Sequence, residues 1–199
     1  MASEREGDGD DVLVARMGQG DEEALRELIV RHQDRVYGTV AKMIGGAGPD
    51  AEDLAQQVFL RIWRAASSYR SEAKFTTWLM TVTRNLVFSF CESRSRRREV
   101  SDVVLDEEGE ELEIGQQPVI ERNPRDDLSG KELVRAVKLA CAHLPMKQRL
   151  VVHLREHEEM EFSEIAQVLG VSELGAKSLM FRARENLKNR LAEFFTEPK

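Results

Sequence analysis

The stretch SEIAQVLGVS, residues 163–172, has the pattern of a short helix, a tight turn and the start of a second helix. Ser163 is expected to cap the short helix over residues 164–169, because serine accepts hydrogen bonds from free amides at helix starts. Gly170 can adopt the left-handed conformation that ends a helix, and Ser172 is expected to cap the next one. The stretch therefore predicts a helix-turn-helix.

The helix that follows this turn is predicted to have an apolar side and a polar side. The apolar side consists of Ala176, Met180, Ala183, Leu187 and Leu191. The other side carries Ser178, Phe181, Arg182 and Glu185, with Lys177 and Lys188 at its edge. Hydroxyls and cations in such positions are typical of a helix that reads the DNA major groove. An ordinary helical hairpin with a solvated charged face gives the same pattern, so the pattern alone leaves both interpretations open.

Outward from the turn, apolar spacing and capping residues predict an all-α protein with two small helical domains. Residues 129–196 form the second domain, with four helices. Residues 11–98 form the first domain, with a short helix over 12–17 capped by Asp11 and three longer helices after it. Residues 99–128 are predicted to be a flexible acidic linker, because they contain two prolines and no apolar period. Residues 1–10 are predicted to be a disordered acidic tail.

The formal net charge of −7 is unevenly distributed along the chain. The tail and the linker are strongly acidic, whereas both predicted domains carry a small excess of lysine and arginine. Binding to nucleic acid depends on local basic patches, so the acidic total does not exclude it. The sequence contains no apolar run long enough for a membrane span and no secretory signal, and it has only two cysteines. These features predict a cytoplasmic protein in a reducing environment.

Aromatic residues are concentrated in the first domain, where seven of the twelve lie between residues 59 and 90. Tyr69, Phe75 and Trp78 flank a polar break, and an arginine-rich run follows at residues 94–98. Rings and cations together suit the capture of unpaired bases. Core packing is the favoured interpretation for Phe59, Trp63 and Phe88. For Tyr69 and Phe75 core packing and base stacking are equally favoured.

Three stretches of the chain form a specific combination. The first is DAEDLAQQVFLRIW at residues 50–63, and the second is FTTWL at 75–79 followed by RNL at 84–86. The third is the helix-turn-helix with AKS at 176–178 and RAR at 182–184. In this order and spacing they resemble the extracytoplasmic-function type of bacterial RNA polymerase sigma factor, which retains only regions 2 and 4, and the resemblance covers most of the chain outside the linker.

The resemblance implies a transcription initiation factor that binds RNA polymerase core, through its beta-prime and beta subunits, and promoter DNA. Asp53, Gln56 and Gln57 match positions that bind the polymerase. The positions for the minus-ten element are Tyr69, Arg70, Phe75, Trp78, Arg84 and Asn85. Those for the minus-thirty-five element are Ser172, Glu173, Lys177, Ser178, Phe181 and Arg182. The resemblance implies no cofactor and no catalysis, and it leaves open whether an anti-sigma factor controls the protein.

Some residues depart from the pattern of the family. Gln57 stands where glutamate is usual, which removes a charge from the polymerase contact. Leu179 replaces a common arginine and is expected to widen the apolar side of its helix. Phe181 replaces a polar residue and is suited to contact a thymine methyl group. These changes affect which promoter sequence the protein is expected to recognise more than they affect its assignment to the family.

Other interpretations remain at this point. The runner-up is a conventional helix-turn-helix regulator with an N-terminal sensor domain, and a third is a helical interaction protein that contacts no DNA. His153 and His157, with Cys141 and His143 nearby in sequence, could form a zinc site. The linker is either a plain tether or an acidic segment, residues 106–113, that threads a basic polymerase channel or shields the basic domains.

Overall fold

The structure is a computed structural model that describes the backbone of residues 3–70, 73–101 and 130–195 and the side chains of residues 9–70, 73–96 and 133–192. Within these ranges it contains helices and no strand, which confirms the all-α class. The helices are α1 (Ser3–Met17), α2 (Glu22–Ile44), α3 (Pro49–Ala65), α4 (Phe75–Ser101), α5 (Gly130–Ala142), α6 (Met146–Glu156), α7 (Phe162–Leu169) and α8 (Glu173–Phe195), with a short 3-10 turn at Ala66–Ser68. Over the same ranges, no helix is both long and apolar enough to cross a membrane. Apart from residues 99–101, which end α4, the predicted linker lies outside the described residues.

Helices α1 to α4 form the first lobe, and local sequence signals account for most of their ends. The Asp21 carboxylate accepts hydrogen bonds from the amides of Glu23 and Ala24, so Asp21 caps α2. Pro49 occupies the first turn of α3, where its missing amide proton costs nothing. Leu54, Val58 and Ile62 are buried on one side of α3, which packs against α2 and α4.

The start of α1 differs from the sequence prediction. The helix begins at Ser3, so the expected cap at Asp11 is wrong, because Asp11 lies inside α1. Residues 3–10 of the expected disordered tail belong to this helix, and residues 1 and 2 lie outside the described part of the chain. Asp10 is only 1% exposed, because its carboxylate lies 2.8 Å from Nε2 of His32 and 3.0 Å from Nη1 of Arg31 on α2. These contacts hold the first part of α1 against α2, whereas sequence reasoning treated Asp10 as one member of a solvated acidic run.

Helices α5 to α8 form the second lobe, in which the helix-turn-helix is confirmed. Glu161, and not Ser163, caps α7, because Glu161 and Glu164 satisfy each other's backbone amides in a capping box. Gly170 ends α7 with a φ of 65°, the left-handed conformation that glycine adopts without strain. The hydroxyl of Ser172 accepts a hydrogen bond from the amide of Gly175, as expected of a cap on α8.

The two lobes pack directly against each other, which sequence analysis did not predict. Helix α7 lies on α4 and α6 lies on α2, so that buried side chains of both lobes form one continuous core. Polar contacts also cross the seam between the lobes. The Arg149 guanidinium donates to the carbonyl of Met43 (3.0 Å) at the end of α2, and to the carbonyl of Leu144 (3.2 Å) after α5.

Candidate nucleic-acid interface

Tyr69, Phe75 and Trp78 form one aromatic cluster at the start of α4. The ring centroids of Tyr69 and Trp78 are 4.7 Å apart, and both rings are partly exposed. The Tyr69 hydroxyl donates a hydrogen bond to Asp11 on α1 at 2.8 Å, which helps to fix its ring. Phe75 is only 1% exposed and contacts the ring of His32. In this structure Phe75 is therefore a core residue that supports the other two rings, and the prediction that it contacts DNA receives no support.

A cavity of about 250 Å³ opens beside this cluster. Its walls include Ser68, Tyr69, Arg70, Thr77 and Trp78 of the first lobe and Gln167 of the second. The Oγ1 atom of Thr77 is buried there and has no hydrogen-bond partner within the described residues. The cavity thus combines two partly exposed rings with polar groups, which is the surface chemistry that a planar base requires.

The arginines of α4 that were predicted to contact DNA differ in their exposure and in their contacts. Arg84 is partly buried, and its Nε donates to the carbonyl of Val168 in the second lobe at 3.0 Å. Its guanidinium also lies 5.8 Å from the centre of the Phe88 ring. Asn85 is exposed, and farther along α4 so are Arg94 and Arg96, whereas the side chains of residues 97–98 lie outside the described part of the chain. Arg84 is therefore held by the other lobe, while the remaining described cations face solvent.

Helix α3 presents to solvent a polar row that consists of the three residues expected to bind the polymerase. Asp53, Gln56 and Gln57 are all exposed, while Leu54 and Val58 on the opposite side are buried. A side that is polar and solvated on an otherwise well-packed helix is available to a partner protein.

Sequence reasoning missed a groove beside this row. The groove lies between α2 and α3 and has a volume of about 460 Å³. Gln56 contributes to it together with the apolar side chains of Leu25, Ile29, Phe59 and Leu60. Leu60 is 52% exposed, although leucine is a residue that helices usually bury. The sequence could have indicated this groove. Leu60 is apolar, but its position does not lie on the side of α3 that Leu54 and Val58 bury.

The predicted reading face of α8 is open to solvent. Ser178 and Arg182 are exposed, and Phe181 is 67% exposed. On the other side of the helix, Ala176, Met180 and Ala183 are buried, as the apolar spacing predicted. Leu179 packs partly against the core, in agreement with the expected widening of the apolar side.

The first turn of α8 is more structured than its sequence indicates. Lys177 Nζ lies 2.6 Å from the Glu173 carboxylate and 5.8 Å from the centre of the Phe162 ring on α7. Both charged side chains are about half exposed, so this surface ion pair can exchange for contacts with a ligand at little cost. Leu174, which sequence analysis did not single out, is 74% exposed next to this pair.

His153, the central residue of the zinc hypothesis, lies in the seam between the lobes. Its Nε2 is 2.8 Å from the hydroxyl of Thr39 and its Nδ1 is 3.4 Å from Nζ of Lys42. Burial, the charge of Lys42 and His157 together lower the pKa of His153 to about 3, so its imidazole is neutral near pH 7. No cluster of three possible ligands exists in the described part of the chain, and the hypothesis of a zinc site therefore receives no support.

Comparisons of the sequence with known families give two matches. Residues 28–97 match Sigma-70 region 2, and residues 140–189 match Sigma-70, region 4. The ECF RNA polymerase sigma-E factor of Escherichia coli K12 is 31% identical over 182 residues, which cover 92% of this chain and 94% of that protein. The sigma-E factor of Haemophilus influenzae is 29% identical and covers 92% of this chain and 95% of its own.

Solved structures with a similar fold include two protein complexes. CnrH, solved with the cytosolic domain of CnrY, has a TM-score of 0.64 and 21% identity and covers 94% of this chain and 99% of its own. The sigma factor RpoE of Bartonella quintana, solved with the anti-sigma factor NepR, has a TM-score of 0.61 and 23% identity. The match covers 84% of this chain and 96% of that one. At these identities the similarity concerns the fold.

Proposed function

This chain belongs to the ECF sigma factors of the sigma-70 family. We propose that separate exposed surfaces of the protein bind RNA polymerase core, the minus-ten element and the minus-thirty-five element. The protein is an initiation factor that binds RNA polymerase core and directs it to promoters. As a member of this family it acts without catalysis, in the cytoplasm where the polymerase works. The runner-up interpretation, a regulator with a sensor domain, is disfavoured because the region 2 match covers the lobe that would have to be the sensor.

The observation that carries the residue assignments is that each lobe presents one solvated surface suited to a different form of DNA. In the first lobe, the cavity beside Tyr69 and Trp78 suits one unpaired base of the minus-ten element, with Arg70 and Asn85 exposed nearby. Stacking on aromatic rings contributes roughly 1–3 kcal/mol per base. In the second lobe, the exposed side of α8 suits the major groove of the minus-thirty-five duplex.

The polymerase-docking surface is proposed to be the polar row of α3 together with the neighbouring groove. Asp53, Gln56 and Gln57 supply hydrogen-bonding groups, and the groove with Leu60 at its edge supplies apolar area. An apolar centre with a polar rim is the usual composition of a protein interface. This surface faces away from the buried stripe of α3, so a partner reaches it without disturbing the core.

Charge reversal at Asp53 tests this docking surface. We expect Asp53→Lys to raise the Kd for purified core polymerase at least about tenfold, or ~1.4 kcal/mol, because a wrong charge at an interface repels its partner. Fluorescence anisotropy of labelled protein, without DNA, measures the Kd. Glu92→Lys is the control, since it makes the same charge change at an exposed position on α4. Equal affinities for Asp53→Lys and the control would place the polymerase contact elsewhere.

Truncation of Arg182 tests the reading face of α8. Loss of one side chain that binds a base edge costs about 1–3 kcal/mol, so we expect Arg182→Ala to weaken holoenzyme binding to promoter duplex about tenfold. Arg184→Ala is the matched control, because Arg184 lies on the same helix and contacts Glu156 within the lobe. Gel-shift titrations on any promoter that the holoenzyme uses give both values. A loss for Arg184→Ala that equals the loss for Arg182→Ala would contradict the assignment.

A further inference from the structure

Helix α1 precedes residues 28–97, which match Sigma-70 region 2, but it packs against the turn that leads to Tyr69. Directly after α1, a Cβ atom at Gly18 would lie 3.2 Å from the carbonyl oxygen of Ala66 in this turn. The same carbonyl accepts a hydrogen bond from the amide of Tyr69 at 3.1 Å. The backbone of Tyr69 is therefore positioned by a turn that α1 supports.

The side chain of Tyr69 is also held by α1, at the hydroxyl end of the ring. Its hydroxyl oxygen lies 2.8 Å from the carboxylate of Asp11 and 3.2 Å from the carbonyl oxygen of Ala73. A phenol has one proton to donate, so the two acceptors compete for it. The Asp11 carboxylate is nearer and charged, and hydrogen bonds to a charged acceptor are the stronger kind. The hydroxyl therefore donates to Asp11, and the far end of the ring is tied to α1.

The orientation of the Tyr69 ring decides the shape of the cavity beside Trp78. The two ring centroids are 4.7 Å apart, and the ring planes meet at 44°. A base stacks only on a ring that turns its face toward it, and a tyrosine side chain can turn about two torsions. Without Asp11 the hydroxyl is free to donate to Ala73 instead, and the ring turns with it. The captured base then loses a stacking surface that was oriented in advance.

We propose that Asp11 is a positioning residue for base capture, which holds the Tyr69 ring in the orientation that receives an unpaired base of the minus-ten element. The proposal rests on the proposed function, because it concerns the cavity that we assign to that base. Asp11 acts through Tyr69, and α1 becomes part of the structure that opens the promoter. Asp10 strengthens the same support, since its carboxylate binds His32, whose ring centroid lies 5.2 Å from that of Phe75.

Open-complex formation on promoters that lack a single base tests this role. Holoenzyme with the wild type or Asp11→Ala is mixed with the intact promoter, and with duplexes that carry one abasic site in the non-template strand of the minus-ten element. Stopped-flow fluorescence gives the rates, and the captured position is the one where an abasic site slows the wild type most. We expect Asp11→Ala to lower the rate about tenfold on the intact promoter. On the duplex without the captured base, the loss should be less than about twofold, because no base is left to stack.

A role of Asp11 in folding alone would give a different result. The rate would then fall by the same factor on every duplex, and this result would overturn the proposal, as would a wild-type rate of Asp11→Ala on the intact promoter. Asp11→Asn keeps an oxygen that accepts the hydroxyl proton, so we expect it to retain at least about one-third of the wild-type rate. A rate as low as that of Asp11→Ala would also overturn the proposal. If no abasic site slows the wild type, the cavity captures no base, and the proposed function itself fails.

A second variant keeps the proposal testable even if Asp11→Ala is unstable. Tyr69→Phe keeps the ring and removes the hydroxyl, so it breaks the same hydrogen bond from the other side. We expect it to slow opening about tenfold, and the double variant to lose no more than about a further twofold, because both changes remove one interaction. Independent losses that multiply to about 100-fold would overturn the proposal. Glu23→Ala is the matched control, since it removes an exposed acid on α2 that pairs with Arg26, and its rate should stay within about twofold of the wild type.

Discussion

Replacing Trp78 with alanine is expected to lower the rate of open-complex formation about 100-fold. Its ring lies 4.7 Å from Tyr69 and forms a wall of the cavity that we assign to an unpaired base. Stacking of one base contributes roughly 1–3 kcal/mol, and loss of about 2.7 kcal/mol from the transition state corresponds to a factor of 100. Stopped-flow fluorescence of a reporter base in the minus-ten element measures this rate with the holoenzyme.

Trp78→Phe is the matched control, because it keeps an aromatic face and removes the indole. We expect it to retain at least about one-third of the wild-type rate. The affinity of both variants for core polymerase should stay within about twofold of the wild type, since the docking surface lies on α3. A Trp78→Ala holoenzyme that melts promoters at the wild-type rate would show that this ring has a structural role only.

Replacing Asp10 with alanine is expected to lower the free energy of unfolding by about 3 kcal/mol. The carboxylate is buried, and His32 and Arg31 lose their common acceptor when it is removed. Because a carboxylate can only accept, Nε2 of His32 must carry the proton, and truncation leaves that donor unsatisfied inside the lobe. Chemical denaturation monitored by circular dichroism gives the value. Asp34→Ala, an exposed position on α2, should change stability by less than about 0.5 kcal/mol.

The stabilisation by Asp10 also depends on pH, in a direction that follows from its pKa. Burial alone would raise this pKa, but the hydrogen bonds and charges of His32 and Arg31 outweigh it and lower the pKa below 3.8. A carboxyl group whose pKa is lower in the folded state stabilises above its unfolded pKa and loses this effect as pH falls through its folded pKa. The difference between the wild type and Asp10→Ala should shrink below about pH 4, as the folded carboxyl group becomes protonated. A difference that grows as pH falls below about 4 would contradict this account.

Features that depend on neighbours in sequence could be predicted. The helix-turn-helix follows from the glycine at 170 and the cap at Ser172, both of which act within one or two turns of helix. The exposed sides of α3 and α8 follow from the spacing of buried residues such as Leu54 and Ala183. The cap of α7 was predicted incorrectly although it is a local feature. Glu161 lies only two residues before Ser163, and it caps the helix because Glu164 is its capping-box partner.

Features that depend on distant contacts could not be predicted. Asp10 becomes a buried residue only because α1 folds back onto His32, and sequence alone shows it as one acid among several. For Phe75 the sequence favours core packing and base stacking equally. Only the structure shows that its ring packs against those of Tyr69 and Trp78. The packing of α7 on α4 joins residues far apart in the chain, and a linker predicted to be flexible carries no information about it.

Transcription of fragmented genomic DNA of the source bacterium by purified core polymerase, with and without this protein, tests the central claim most directly. Sequencing of RNA 5′ ends identifies the start sites. The account predicts start sites that require the protein and share two upstream sequence elements, one near minus ten and one near minus thirty-five. Identical start sites in the presence and absence of the protein, with no complex formed between it and the core, would contradict the account.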